Sequence, residues 1–204
     1  MGKEGLYTTE NIKKVLKSKG IPIDGRLLAC NIIGIRKKDK SNVNYFEDTL
    51  INMIYKNTGL TSKTYTITTT PGLFYLKNPI NSKGTAILKE GYYENCWAYG
   101  KHKGHDALVQ VGKMTVYRDS DKDEEIDLDV PTEEGLFGIN CHGRYFDGKS
   151  VDWNKEINRW SAGCTVFENN VELSDFLSDC LIHLRVGHGK FSYILLNEED
   201  FLGL

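Results

Sequence analysis

Between residues 63 and 142 the chain is interrupted at short intervals by glycine, proline, asparagine and aspartate, and this punctuation limits what it can fold into. KTYTITTT (63–70) alternates and stops at Pro71-Gly72. LFYL precedes a turn, KNPINSKG (77–84), and TAILKEGYY, CWAYGKH and ALVQVGKMTVYRD (107–119) follow. Short strands divided by turn residues predict a mainly β chain with a few helices, built as a sandwich or barrel. LFGINCH (136–142) predicts a further strand. Its alternation puts Phe137, Ile139 and Cys141 on one face and Leu136, Gly138, Asn140 and His142 on the other. If His142 lines a site, Cys141 belongs to the core, which argues against a zinc site using both.

Helical signals are fewer. Residues 8–19 predict a short helix capped by Thr8 or Thr9, ended by Gly20 and Pro22, with Ile12, Val15 and Leu16 as its apolar stripe. VELSDFLSDCLIHLR (171–185) has apolar residues at 173, 176, 177, 180, 181 and 184, one stripe at helical period. That places Cys180 in the core and His183 on the surface. Gly187 and Gly189 end the helix, and FSYILL (191–196) predicts the last strand. LLACNIIGIR (27–36) reads as a strand that is apolar on both faces. SNVNYFEDTLINMIYKNTG (41–59) fits a helix or strands and stays open. The expected division is an N-terminal appendage over 1–60, separate from the core or integrated with it, and a main domain over 61–204.

Composition excludes several classes. Of 204 residues 40% are hydrophobic, in short scattered runs, and none approaches the roughly 20 apolar residues of a membrane helix. The first thirty residues lack the apolar core of a signal peptide, and Leu6 stands where myristoylation wants Ser or Thr. The expectation is a chain made in a reducing cytoplasm and released, if at all, by lysis or carriage on a larger particle. A net charge of −2 gives no global field for nucleic acid, and the basic run IRKKDK (35–40) reads as a solvated loop. The five cysteines, Cys30, Cys96, Cys141, Cys164 and Cys180, are odd in number and contain no CxxC pair. They do not form a disulfide framework, so a thiol near a histidine is a candidate nucleophile.

RWSAGCTVF (159–167) holds that thiol. Thiol chemistry needs a nearby base or positive charge to generate thiolate, and N–H groups aimed at the oxyanion. Ser161-Ala162-Gly163-Cys164 is a run of small residues in which Gly163 can take positive φ. It would leave the Gly163 and Cys164 N–H groups free for an oxyanion. His142 ends a strand beside Gly143, 22 positions upstream of Cys164. From the residues alone, Cys164 is either a nucleophile with His142 as base or a core thiol under a tight turn.

His142-Gly143, a gap, then Ser161-x-Gly163-Cys164 resembles the active-site signature of the L,D-transpeptidase catalytic domain family. The phrases TTTPGLFYL, GTAILKEG, LVQVGKMTVYRD and WSAGC further resemble phage-encoded relatives, over roughly residues 60 to 196. The resemblance implies an L,D-transpeptidase-like β-sandwich or barrel with a C-terminal helix and strand. It also implies cysteine-dependent acyl transfer or hydrolysis on peptidoglycan stem peptides, without a cofactor. Catalytic roles fall on Cys164, His142, Gly163 and Ser161, and substrate binding on Gly143, Arg144, Trp160 and Arg159. The base is typically oriented by backbone carbonyls, with Asp147 or Asp152 as alternative orienters. Other virion proteins are further expected partners. Two residues depart from the family: Ala162 replaces a histidine, and Thr165 follows the cysteine in place of Arg or Asn. The first touches thiolate stabilisation, the second substrate-carboxylate binding. The segment 144–160 reads as a substrate lid or a solvated insertion, with Trp160 as a packing anchor under the cysteine loop.

In DSDKDEEIDLD (119–129), Asp119, Asp121, Asp123 and Asp127 stand at positions 1, 3, 5 and 9 of a calcium-type loop. Glu124 replaces the expected Gly and Val130 the expected Glu, so the stretch reads as an acidic hairpin tip; a calcium ion held there would be structural. Two rival functions remain. A non-enzymatic phage structural or wall-binding module on the same fold is permitted by Ala162. A cysteine peptidase or amidase on another fold would want a helix N-terminus beneath the nucleophile, and VELSDF begins too late.

Overall fold

The computed structural model describes residues 5–38, 43–145 and 156–203. In chain order the elements are α1 (Thr9–Ser18), β1 (Cys30–Arg36), β2 (Asp48–Lys56), β3 (Gly59–Thr68), α2 (Leu73–Lys77), β4 (Thr85–Leu88), β5 (Gly91–His102), β6 (His105–Gln110), β7 (Met114–Asp119), β8 (Thr132–Gly135), β9 (Cys141–His142), β10 (Thr165–Phe167), α3 (Asn170–Arg185) and β11 (Phe191–Asn197). Eight strands close a barrel in the order β1-β11-β5-β6-β9-β10-β3-β2, and β4-β7-β8 form a small separate sheet. The fold is mainly β with three helices.

The open stretch 41–59 resolves as strand. β2 runs antiparallel to β3 from Asp48↔Ile67 to Lys56↔Gly59, so its apolar residues serve two faces instead of a helical stripe. Leu50 and Ile54 enter the main core; Ile51 and Met53 face a second cluster with Ile12, Val15 and Leu16 of α1. β1 is buried along its whole length, as its two apolar faces predict. The expected boundary at residue 60 falls just inside the β2–β3 hairpin, so the N-terminal segment is integrated: β1 and β2 are staves of the barrel. Thr8 caps α1, its hydroxyl accepting from Asn11 N–H at 3.2 Å, and Gly20 leaves the helix at φ +67°.

Four local expectations are corrected. LFYLK is a short helix that starts after Gly72, not a strand. Only the last two residues of 136–142 pair as a strand, because Gly138 at φ +74° bends the chain. Arg36, read as part of a solvated loop, is 1% exposed; it donates to Thr69 Oγ1, Thr69 O and Leu88 O and so ties the barrel to β4. His183, expected on the surface, is buried. Its Nδ1 accepts the Cys30 N–H at 3.1 Å, and its ring packs 4.5 Å from that of Phe191.

Inside the barrel Trp97 stacks on Tyr193 at 4.3 Å, and Gly34 makes room, since a Cβ there would lie 2.0 Å from the Tyr193 hydroxyl. Trp97 Nε1 donates to Ile139 O at 2.8 Å. Gln110 holds the same segment: Oε1 accepts from Phe137 N and Ile139 N, and Nε2 donates to Gly112 O and Gly135 O. These bonds replace the ladder that the bend at Gly138 removes. Among the described residues no helix is long and apolar enough to cross a membrane. Gln110→Leu keeps the size and deletes four hydrogen bonds. It should lower stability by about 2 kcal/mol, read as a lower urea midpoint at unchanged slope; an unchanged midpoint would show the clamp to be idle.

Candidate active site

β9 and β10 pair in parallel, Thr165 with Cys141 and Val166 with His142. Cys141 and Thr165 point inward and are buried. The alternate residues His142 and Cys164 therefore share the outer face, one stave apart and two positions offset. Both line a cleft of about 420 Å³ between the barrel and the β4 strand of the small sheet. Ala162, Arg159, Trp160, Phe137 and the Gly84–Ala86 backbone line it too.

Gly163 has φ +122°, and a Cβ there would lie 2.2 Å from Ala86 O, so only glycine fits. Ser161 is fully buried; its hydroxyl donates to Cys164 O at 2.8 Å and accepts the Gly163 N–H at 3.1 Å. This corrects two expectations. The Gly163 N–H is not free for an oxyanion, and Ser161 holds the loop without lining the cleft. The Cys164 N–H has no hydrogen bond among the described residues. Cys164 Sγ contacts Gly138 O at 3.3 Å and Asn140 N at 3.5 Å. Burial pushes its pKa above the ordinary 9.0, against smaller lowering effects of the Asn140 N–H and the Lys103 charge.

His142 Nδ1 lies 2.8 Å from Gly143 O. A carbonyl only accepts, so Nδ1 carries the proton and Nε2 is left with its lone pair. Burial drives the His142 pKa down to about 4, the charges of His102 and Lys103 adding to the effect and the Gly143 bond opposing it. Among the described residues no hydrogen bond joins Cys164 Sγ to His142. At rest both groups are neutral, a thiol beside an imidazole.

Three neighbours escaped the sequence reading. His102, at the end of β5, stacks on His142 at 4.3 Å and 18°. Asn140 Oδ1 accepts the Gln110 N–H, so its Nδ2 donates to His102 Nδ1 at 3.0 Å, and His102 carries its proton on Nε2. Lys103 leads the turn to β6, with positive φ at Lys103 and Gly104. The readable signal was HKGH: a two-residue turn ending in glycine closes a tight hairpin and places both flanking histidines.

Of the other expected residues, Arg159 and Trp160 line the cleft, and Arg159 lies 3.8 Å over the Phe74 ring. Trp160 also packs with Cys164 against Phe46, Ile157 and Val166, as an anchor under the loop should. Arg144 is a correction: it is buried, donates to Glu168 O, and sits over Phe46 at 5.0 Å, away from the cleft. Gly143 does not line the cleft either. It gives His142 its carbonyl, and a Cβ there would lie 2.2 Å from Asn170 Oδ1. Asp147, Asp152 and most of the expected lid lie outside the described residues. All five cysteines are free thiols. In the acidic loop, Asp119, Asp121 and Asp127 gather, whereas Asp123 does not join them. Comparison with protein-family models, curated proteins and solved structures returned no match.

Because folding depresses the His142 pKa, the unfolded chain binds a proton there between about 6.5 and 4 that the folded chain does not. Stability should fall as pH falls through that window, by roughly 3 kcal/mol in full. Asp119, held up to about 6 mainly by burial, works in the opposite sense, so the comparison is with a variant. Urea unfolding at pH 7 and pH 4.5 should show wild type losing about 2–3 kcal/mol more than His142→Gln; equal losses would contradict a neutral buried imidazole.

Proposed function

We propose that this chain is an L,D-transpeptidase-like cysteine enzyme that transfers or hydrolyses acyl groups of peptidoglycan stem peptides. The observation that carries the reading is the shared cleft: Cys164 and His142 open onto it from adjacent parallel staves, with the His142 tautomer set by Gly143 O. The spacing of His142-Gly143 and Ser161-x-Gly163-Cys164 supports the substrate class by resemblance.

A substrate carbonyl entering the cleft displaces water, and the Cys164 S–H turns from Gly138 O toward His142 Nε2. His142 takes the proton as sulfur attacks the carbonyl carbon, and the π electrons pass to oxygen. The Cys164 N–H donates to that oxygen. Collapse expels the amine, which takes its proton from His142 Nε2, and leaves a thioester on Cys164. An acceptor amine or water then attacks the thioester, again giving its proton to His142, and the returning proton restores the thiol. Asn140 N–H, 3.5 Å from Sγ, stabilises sulfur as charge develops. Arg159 takes the place of the missing Arg or Asn after the cysteine as partner for a substrate carboxylate. A non-enzymatic wall-binding role on the same fold is the second reading, favoured by Ala162 and by a thiol that rests neutral.

Incubation with stem-peptide muropeptides followed by intact-mass analysis separates the two. An acyl adduct on Cys164 is expected, absent in Cys164→Ser and slowed at least about 100-fold in His142→Ala. The acid limb of kcat/KM should lie near pH 4, since His142 must be unprotonated to act. Sedimentation with cell-wall sacculi but no adduct would favour binding alone.

A further inference from the structure

We propose that Asp119, Asp121 and Asp127 form a calcium site that fixes the β7–β8 loop to the wall of the cleft. One carboxylate oxygen from each residue lies within 4.8 Å of the other two. Such crowding is common on acidic surfaces, but Asp119 is not on the surface. It is 1% exposed. Its Oδ2 accepts the Asp127 N–H at 3.2 Å, whereas its Oδ1 is buried with no hydrogen-bond partner. A buried carboxylate oxygen without a donor is costly, and a cation answers it directly.

Lys122 lies in the same loop but makes no ion pair among the described residues. Other nearby cations are committed elsewhere, Lys77 to Glu124 and Arg118 to Glu133. Among the described residues no Lys or Arg pairs with Asp119, Asp121 or Asp127. Asp123 stands apart, its Oδ1 accepting the Glu125 N–H at 2.7 Å.

Ligand chemistry selects the ion. Three carboxylates with no imidazole or thiolate suit a hard cation, not zinc. Oxygens within 4.8 Å of one another can share one cation, with waters or loop carbonyls completing its sphere. Calcium takes carboxylates in flexible geometry, whereas magnesium demands a near-ideal octahedron and keeps most of its waters, so a loop set of three carboxylates suits calcium. The position gives the ion a structural task. Asp119 is the last residue of β7 and pairs with Thr85. Its carbonyl packs so closely on Gly84 that a Cβ there would lie 2.2 Å away. Gly84 and Thr85 line the cleft, so an ion at Asp119 stiffens the wall facing Cys164.

The test is thermal unfolding of the full chain in EDTA and in about 5 mM Ca²⁺, a concentration above the Kd of even weak protein calcium sites. Tm should rise by about 4 °C or more with Ca²⁺. Asp121→Asn and Asp127→Asn, which leave buried Asp119 in place, should fold in EDTA and lose most of that rise. Calcium should also slow proteolysis within residues 120–131 of the wild type. No Ca²⁺ shift, a shift retained in the Asp121→Asn/Asp127→Asn double variant, or a larger shift with Mg²⁺ than with Ca²⁺ would overturn the proposal.

Discussion

Closure of the barrel depends on β9, which contributes only Cys141 and His142 yet joins β6 to β10. One register pair links it to β6 and two link it to β10. So short a strand cannot hold by its ladder alone. The deficit is met by side chains: Gln110 on the Phe137 and Ile139 amides, Asn140 on the Gln110 amide, and the Trp97 indole on Ile139 O. One of these groups also reaches the site: Asn140 holds His102, which stacks on His142.

Around that seam, burial dominates the electrostatics. It raises the Cys164 thiol and lowers the His142 imidazole, so the pair rests uncharged. Lys103 and His102 are the titratable groups that bear on it most directly, and both reach it from the β5–β6 hairpin. Where the resemblance has a histidine beside the cysteine, this chain has Ala162. A second imidazole arrives instead from the neighbouring β5–β6 hairpin and stacks on the first at 18°.

Much of this was legible in the sequence. Turn residues and alternation gave the β character, helical spacing gave α1 and α3, and the small-residue run gave the cysteine loop with glycine at positive φ. What escaped was long-range. His183 looks exposed along its own helix, but Cys30 N–H, 153 residues away, fills its Nδ1. Arg36 and Arg144 read as surface cations because nothing local shows the backbone carbonyls that receive them. The resemblance places Gly143 at the substrate, whereas the contact that demands glycine is Asn170 on α3. Local pattern reports which face a residue has, not which distant backbone will meet it.

Cysteine burial has a chemical consequence beyond the site. Cys30, Cys96, Cys141 and Cys180 are buried, and only Cys164 is partly exposed. Peroxides and disulfides react with thiolate far faster than with thiol. A sulfur stored in its protonated form behind the Gly138 carbonyl is therefore slow to become sulfenic acid or a mixed disulfide. The one partly exposed thiol can therefore stay reduced where peroxides and disulfides are present.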